Sequence, residues 1–225
     1  GDIIITEFFY KSAGNIYEYI ELYNTTDSTI DLQGWKIEID SEEFSVDESL
    51  NIYSLDYVVL VSFTGAFQDS TGKTYGSEND STDFFNNCAS FTDNCNFRRD
   101  DIYWLGFSGL SDESGEIKLL DSDSNLIDEV IYSSADEFPV GDEIIGQAAE
   151  FILDPDTLKI NGSNSSKYAH ILNDDGLNWR SSHHESEWLW NGTINEKGSP
   201  LIANFITPTI YMEGIANGAG DLTEF

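Results

Sequence analysis

Basic residues are scarce. Ten Lys and Arg stand against 42 Asp and Glu, and the formal net charge is −32. Phosphate recognition needs clustered Lys and Arg, so nucleic-acid partners are excluded, and attraction to anionic membrane surfaces is excluded for the same reason. No apolar run approaches the ~20 residues of a membrane-spanning helix, so no membrane insertion is expected. Only Cys88 and Cys95 are present, too few for a zinc site built on cysteine. There are three histidines, and no H-E-x-x-H, G-x-S-x-G or P-loop pattern occurs. With so few candidate bases, a Ser–His or Cys–His nucleophile has no support, and the chain reads as a non-enzyme.

What is present is a foldable composition. Hydrophobic residues make up 40% and aromatics 13% of 225 residues, enough for a core in one domain or slightly more. Short β-branched and aromatic runs are separated by polar turns: 2–10, 16–23, 35–39, 53–63, 100–108, 115–121, 125–133 and 148–155. In 35–39, Trp35, Ile37 and Ile39 alternate with Lys36 and Glu38, a period of two. No stretch shows sustained helical periodicity with caps at both ends. The expected class is therefore an all-β sandwich. Its predicted core is Ile4, Ile20, Leu22, Leu32, Trp35, Ile37, Val59, Leu119, Ile127 and Val130. Residues 64–99 read as a long inserted loop and 156–187 as irregular.

Cys88 and Cys95 lie within CASFTDNC in that insertion. A local disulfide in an oxidising compartment is the first reading, and two free thiols the alternative. Sequons begin at Asn24, Asn79, Asn161, Asn164 and Asn191. The metal most compatible with the acid-rich loops is calcium, which takes oxygen ligands. The candidate loops contribute Asp121 and Asp123, Asp154 and Asp156, and Asp174 and Asp175. Turn geometry accounts equally well for the first of these. His183-His184-Glu185 is a poor chelate, because adjacent strand residues face opposite ways.

Three stretches carry a resemblance. GDIIITEFFY at 1–10, EYIELYN at 18–24 and IDLQGWKI at 30–37 follow one another at the spacing of a lamin-tail domain. GEIKLLDSDSNLIDEVIY at 115–132 resembles that family's "I-x-L-x-D-x-x-G-x-x-I-D-x-V-x-Y" hairpin, with Asn125 where Gly is common. NWRSS at 178–182 and KGSPLIANF at 197–205 are similar to its close, with Leu201 in place of the usual Gly. The resemblance implies an immunoglobulin-like β-sandwich over 1–205, with the insertion 64–99 inside it and 206–225 as a strand-like C-terminal extension. It implies binding or structure rather than catalysis, and a setting among secreted and cell-surface proteins. Glu21 of the IELYN motif is expected to be structural.

Two functions compete at this level. The first is a secreted structural protein whose copies self-associate into a filament or surface layer. In that reading Ile206, Ile210, Tyr211 and Met212 of the extension pair with a neighbour's sheet edge. The alternative is a calcium-dependent module that binds glycans or surfaces, for which Trp188 and Trp190 could form a sugar platform.

Overall fold

The computed structural model describes residues 1–12, 18–62, 67–68, 74–75, 101–133, 145–159, 163, 165–190, 195–203, 215–216 and 222–223. The first strands are β1 (Ile3–Phe9), β2 (Tyr19–Asn24), β3 (Ile30–Asp31), β4 (Lys36–Ile39), β5 (Glu42–Ser45), β6 (Asn51–Ile52) and β7 (Tyr57–Val61). Then come β8 (Phe67–Gln68), β9 (Thr74–Tyr75), β10 (Ile102–Trp104), β11 (Ser114–Leu120), β12 (Leu126–Ser133) and β13 (Ala149–Phe151). A short helix, α1 (Ala169–Leu172), precedes β14 (Trp179–Ser181), β15 (Glu185–Trp190), β16 (Asn195–Lys197), β17 (Ile215–Ala216) and β18 (Leu222–Thr223).

Two sheets form the sandwich. One has six strands in the order β10-β7-β2-β1-β13-β14, the other four in the order β12-β11-β4-β5. One apolar cluster joins them: Phe8, Ile20, Leu22, Val58, Leu60 and Phe151 from the first sheet meet Ile37, Ile117, Leu119, Val130 and Tyr132 from the second. The fold is an all-β immunoglobulin-like sandwich. Because β13 and β14 complete the six-stranded sheet, it runs well beyond the hairpin at 115–132. β7 and β10 are parallel neighbours. Parallel strands cannot be joined by a hairpin and need a crossover.

The sheets differ in how they meet water. In β4, β11 and β12 buried and more exposed residues alternate, as in a sheet with one wet face. In β1, β2 and β7 every residue is buried. Phe9, Tyr19, Val59 and Val61 are buried yet lie outside the inter-sheet cluster. They occupy the far face of the six-stranded sheet, where Phe9 and Tyr19 stack with ring centroids 5.7 Å apart. Something must cover that face.

Eight of the ten predicted core residues are buried. Trp35 and Ile127 are only partly so, packed against the rim of the cluster. The aromatic that fills the core is Trp179, 2% exposed, in a region read as irregular. The hairpin turn between β11 and β12 also differs in detail. The residue at positive φ is Ser124, at 65°, rather than Asn125, and counted along 117–132 the glycine of the pattern falls at Ser124.

Candidate functional site

Three glutamates stand side by side across three adjacent strands. Glu7 of β1 is the direct cross-strand partner of Glu21 on β2 and of Glu150 on β13. All three are at most 2% exposed. A β-bulge puts them in line: the β1–β2 register shifts between Ile5 and Glu7, leaving Thr6 as the extra residue. Without that extra residue, Glu7 would be in the phase of the apolar residues and point into the core. The Thr6 hydroxyl turns the bulge to use, donating to Glu21 Oε1 at 2.7 Å.

The cover over this face is a strap, residues 195–203. Its backbone zips onto the 146–148 segment: Lys197 N donates to Gly146 O, and Ala148 N to Lys197 O, both at 2.8 Å. It then crosses the glutamates. Ser199 N donates to Glu7 Oε1 at 2.9 Å, and Leu201 N donates to Glu21 Oε2 at 2.6 Å. Ser199 Oγ lies 2.6 Å from Glu7 Oε2 and 2.9 Å from Glu150 Oε1. The Tyr19 hydroxyl also donates to Glu7 Oε1, and Arg180 Nε donates to Glu150 Oε2 at 3.0 Å. Leu201 sits at φ 65°, the left-handed region that costs a non-glycine residue roughly 1 kcal/mol. Its bond to Glu21 and its packing against the core offset that strain.

Electrostatics favour protons here. Burial, and next the neighbouring Glu150, pushes Glu7 up to about 7. Burial and then Glu7 push Glu21 well above the usual carboxylate range. The geometry agrees. A hydroxyl carries one hydrogen, yet Ser199 Oγ is within bonding distance of two carboxylate oxygens. A proton on Glu7 Oε2 resolves the conflict. Glu7 then donates to Ser199, and Ser199 donates to the Arg180-paired Glu150.

Other motif residues are buried in the same manner. Asn24 is fully buried. Its Nδ2 donates to the carbonyls of Ser28, Ile52 and Tyr53 at 2.7, 2.9 and 3.0 Å. Its Oδ1 accepts from Thr26 N and Thr26 Oγ1. With that nitrogen fully engaged, the second reading of the sequon fits the arrangement: Asn24 organises a turn. Asp128, 2% exposed, accepts from Ile5 N at 2.6 Å and from Asn173 Nδ2 at 2.7 Å.

The acidic loops proposed for calcium are occupied with their own backbone. Asp121 Oδ1 accepts from Asp123 N and Asn125 N at 2.9 and 2.8 Å. Asp154 caps a 3-10 turn through Asp156 N, Asp156 pairs with Lys159 at 3.0 Å, and Asp175 caps a second turn through Leu177 N. Burial, then Glu129, pushes Asp174 up to about 6. Among the described residues, no group of three or more His, Cys, Asp or Glu side chains is arranged to hold a metal ion. Cys88, Cys95, the sequons at Asn79, Asn161, Asn164 and Asn191, and Ile206, Ile210, Tyr211 and Met212 lie outside the described residues. Trp188 and Trp190 fall in β15.

Sequence reasoning named Glu21 but missed Glu7, Glu150, Asp128 and Ser199. The available signal was a lone acid inside an apolar run, as in IIITEFF, where a solvent-exposed Glu would be out of place.

Carboxylates this deeply buried under a bonded strap serve the fold rather than a substrate. The molecule is thus an immunoglobulin-like sandwich. The chain belongs to the lamin tail domain family, whose model matches residues 1–134. Domains of that family are in general non-catalytic. Compared with curated proteins individually, the chain matches none.

Proposed function

We propose that this chain is a non-catalytic, secreted structural module that works by contact with copies of itself at a cell surface or in an extracellular filament. The observation that carries this reading is the inward orientation of the motif's polar residues. Glu7, Glu21, Asn24 and Asp128 hold main-chain segments together, so what remains for function is surface and strand edge. The longest described edge strand is β12, which pairs with β11 alone among the described strands. It exposes Leu126 and Ile131, at 55% and 59%. An edge of this kind accepts a further strand. The strand offered is the segment 206–214 of the extension, since β17 and β18 pair with each other beyond it.

A −32 charge opposes association, so screening ions favour it. Sedimentation of the full chain should show assembly as salt or Ca²⁺ rises. A chain ending at Asn204, and the variant Ile131→Lys, should remain monomeric. A full chain that stays monomeric under all these conditions would overturn the proposal. Equal assembly of the shortened chain would overturn the role of the extension.

A further inference from the structure

At the corner where the two sheets approach, β1 runs past the end of β13. The β1–β13 ladder pairs only Glu7 and Phe8 of β1, and Ile5 lies beyond it. A backbone N–H and C=O left bare in a buried position are costly. Two side chains stand in for the missing strand. Asp128 Oδ2 takes the Ile5 N–H at 2.6 Å, and Asn173 Nδ2 reaches the Ile5 carbonyl at 3.2 Å. The two side chains are joined to each other by the 2.7 Å bond from Asn173 Nδ2 to Asp128 Oδ2.

This leaves one oxygen on each side chain. Asp128 Oδ1 and Asn173 Oδ1 are both buried, and neither has a hydrogen-bond partner among the described residues. Both are acceptors, so neither can satisfy the other while Asp128 is ionised. Two orphaned buried acceptors on side chains already bonded to each other lack the same thing, a single hydrogen. A carboxylic acid and a primary amide can share two parallel hydrogen bonds, one in each direction.

We infer that Asp128 carries a proton on Oδ1 and donates it to Asn173 Oδ1, closing an acid–amide ring that clasps the 166–179 segment to the bare edge of β1. The ring joins three distant parts of the chain. Asp128 is on β12, Ile5 on β1, and Asn173 follows α1, where its own carbonyl receives the Trp179 indole N–H at 2.7 Å.

The charged surroundings decide the protonation state. On its own strand stands Glu129, and beside Asn173 stands Asp174, both acidic. Ahead of β1, the Gly1 nitrogen, where it is a charged amino group, attracts an ionised Asp128, and on α1 His170 Nδ1 is within 2.8 Å of that nitrogen. From β11, Lys118 is engaged with Glu116, Glu38 and Glu129. Burial outweighs the hydrogen bonds from Ile5 N and Asn173 Nδ2 and, with Asp174 adding to it, drives the Asp128 carboxyl well above its ordinary range. The clasp is therefore a proton-dependent fastening. It is closed while Asp128 holds its proton and opens as rising pH removes it.

The test uses the full chain with aspartate side chains ¹³C-labelled, compared with Asp128→Asn by infrared or NMR spectroscopy near pH 7. Wild type should show a protonated aspartic acid that the variant lacks, and the signal should vanish on alkalinisation together with Ile5 amide protection. Identical spectra for the two proteins would overturn the inference. A second measurement separates the ring from mere packing. Asp128→Asn supplies the missing donor permanently, so its Tm should lie within about 2 °C of wild type, whereas Asp128→Ala should fall by roughly 5 °C or more. An Asn variant that falls as far as the Ala variant would contradict the ring.

Discussion

The folded domain is expected to lose stability as pH rises from about 5 to about 8. The direction follows from Glu7. Its carboxyl is held near 7 in the fold, against an ordinary value of 4.5. Protons thus bind the folded state more tightly than the unfolded one. The stability this gives is complete below about pH 4.5 and is lost as pH rises through about 7. For a fully buried group the loss is on the order of 3 kcal/mol. Glu18, also held near 7 chiefly by burial, and Glu21 act in the same direction. Urea unfolding at high salt, which screens the general acidic repulsion, isolates these buried groups. Glu7→Gln should remove close to one proton from the pH slope. A slope that is flat or of the opposite sign would contradict protonation of the row.

The second large effect concerns Trp179. Its ring packs edge-on against Phe8 at 5.3 Å and tilted against Phe151 at 5.6 Å, and its indole N–H holds the Asn173 carbonyl. Trp179→Ala should cost about 3–5 kcal/mol, combining a cavity with a stranded acceptor. Trp35→Ala should cost about 1–2 kcal/mol, because that ring is only partly buried. Equilibrium unfolding of the two variants side by side checks the ranking. Equal losses would mean that the two rings are buried alike.

The two tryptophans show what the sequence could convey. Trp35 sits in a clean period of two and so reads as core, but it precedes β4 at the rim of the sandwich. Trp179 follows a 3-10 turn and belongs to a strand of three residues, too short for any period to register. Its burial comes from pairing with β13, far away in sequence. Of the strands with one wet face, β4 was legible from its alternation, and β11 and β12 from their β-branched runs and the resemblance of 115–132. In β1 and β2 both faces are buried, which is why residues 16–23 keep no single phase.

The site was legible only in fragments. Glu7, Glu21, Glu150 and Ser199 are adjacent through sheet pairing and a strap, and no local pattern encodes that adjacency. The bulge at Thr6 is likewise invisible in IIITEFF, yet it alone turns Glu7 away from the core. The acidic loops pose a different difficulty. Asp121, Asp154 and Asp175 have ligand chemistry, but each carboxylate is already engaged with the backbone N–H two residues ahead. Turn formation and metal binding ask for the same residue types, and composition does not separate them.

Buried carboxylates fasten the strap across the far face of the six-stranded sheet. Amide hydrogen exchange at Ser199 and Leu201 tests it most directly. If Glu7 and Glu21 hold those two N–H groups, they should exchange as slowly as the amides of β1, and Glu21→Ala should release Leu201 while β1 stays protected. Exchange at Ser199 and Leu201 as fast as in an unstructured chain, with β1 still protected, would show that the strap is not fastened and would contradict the account.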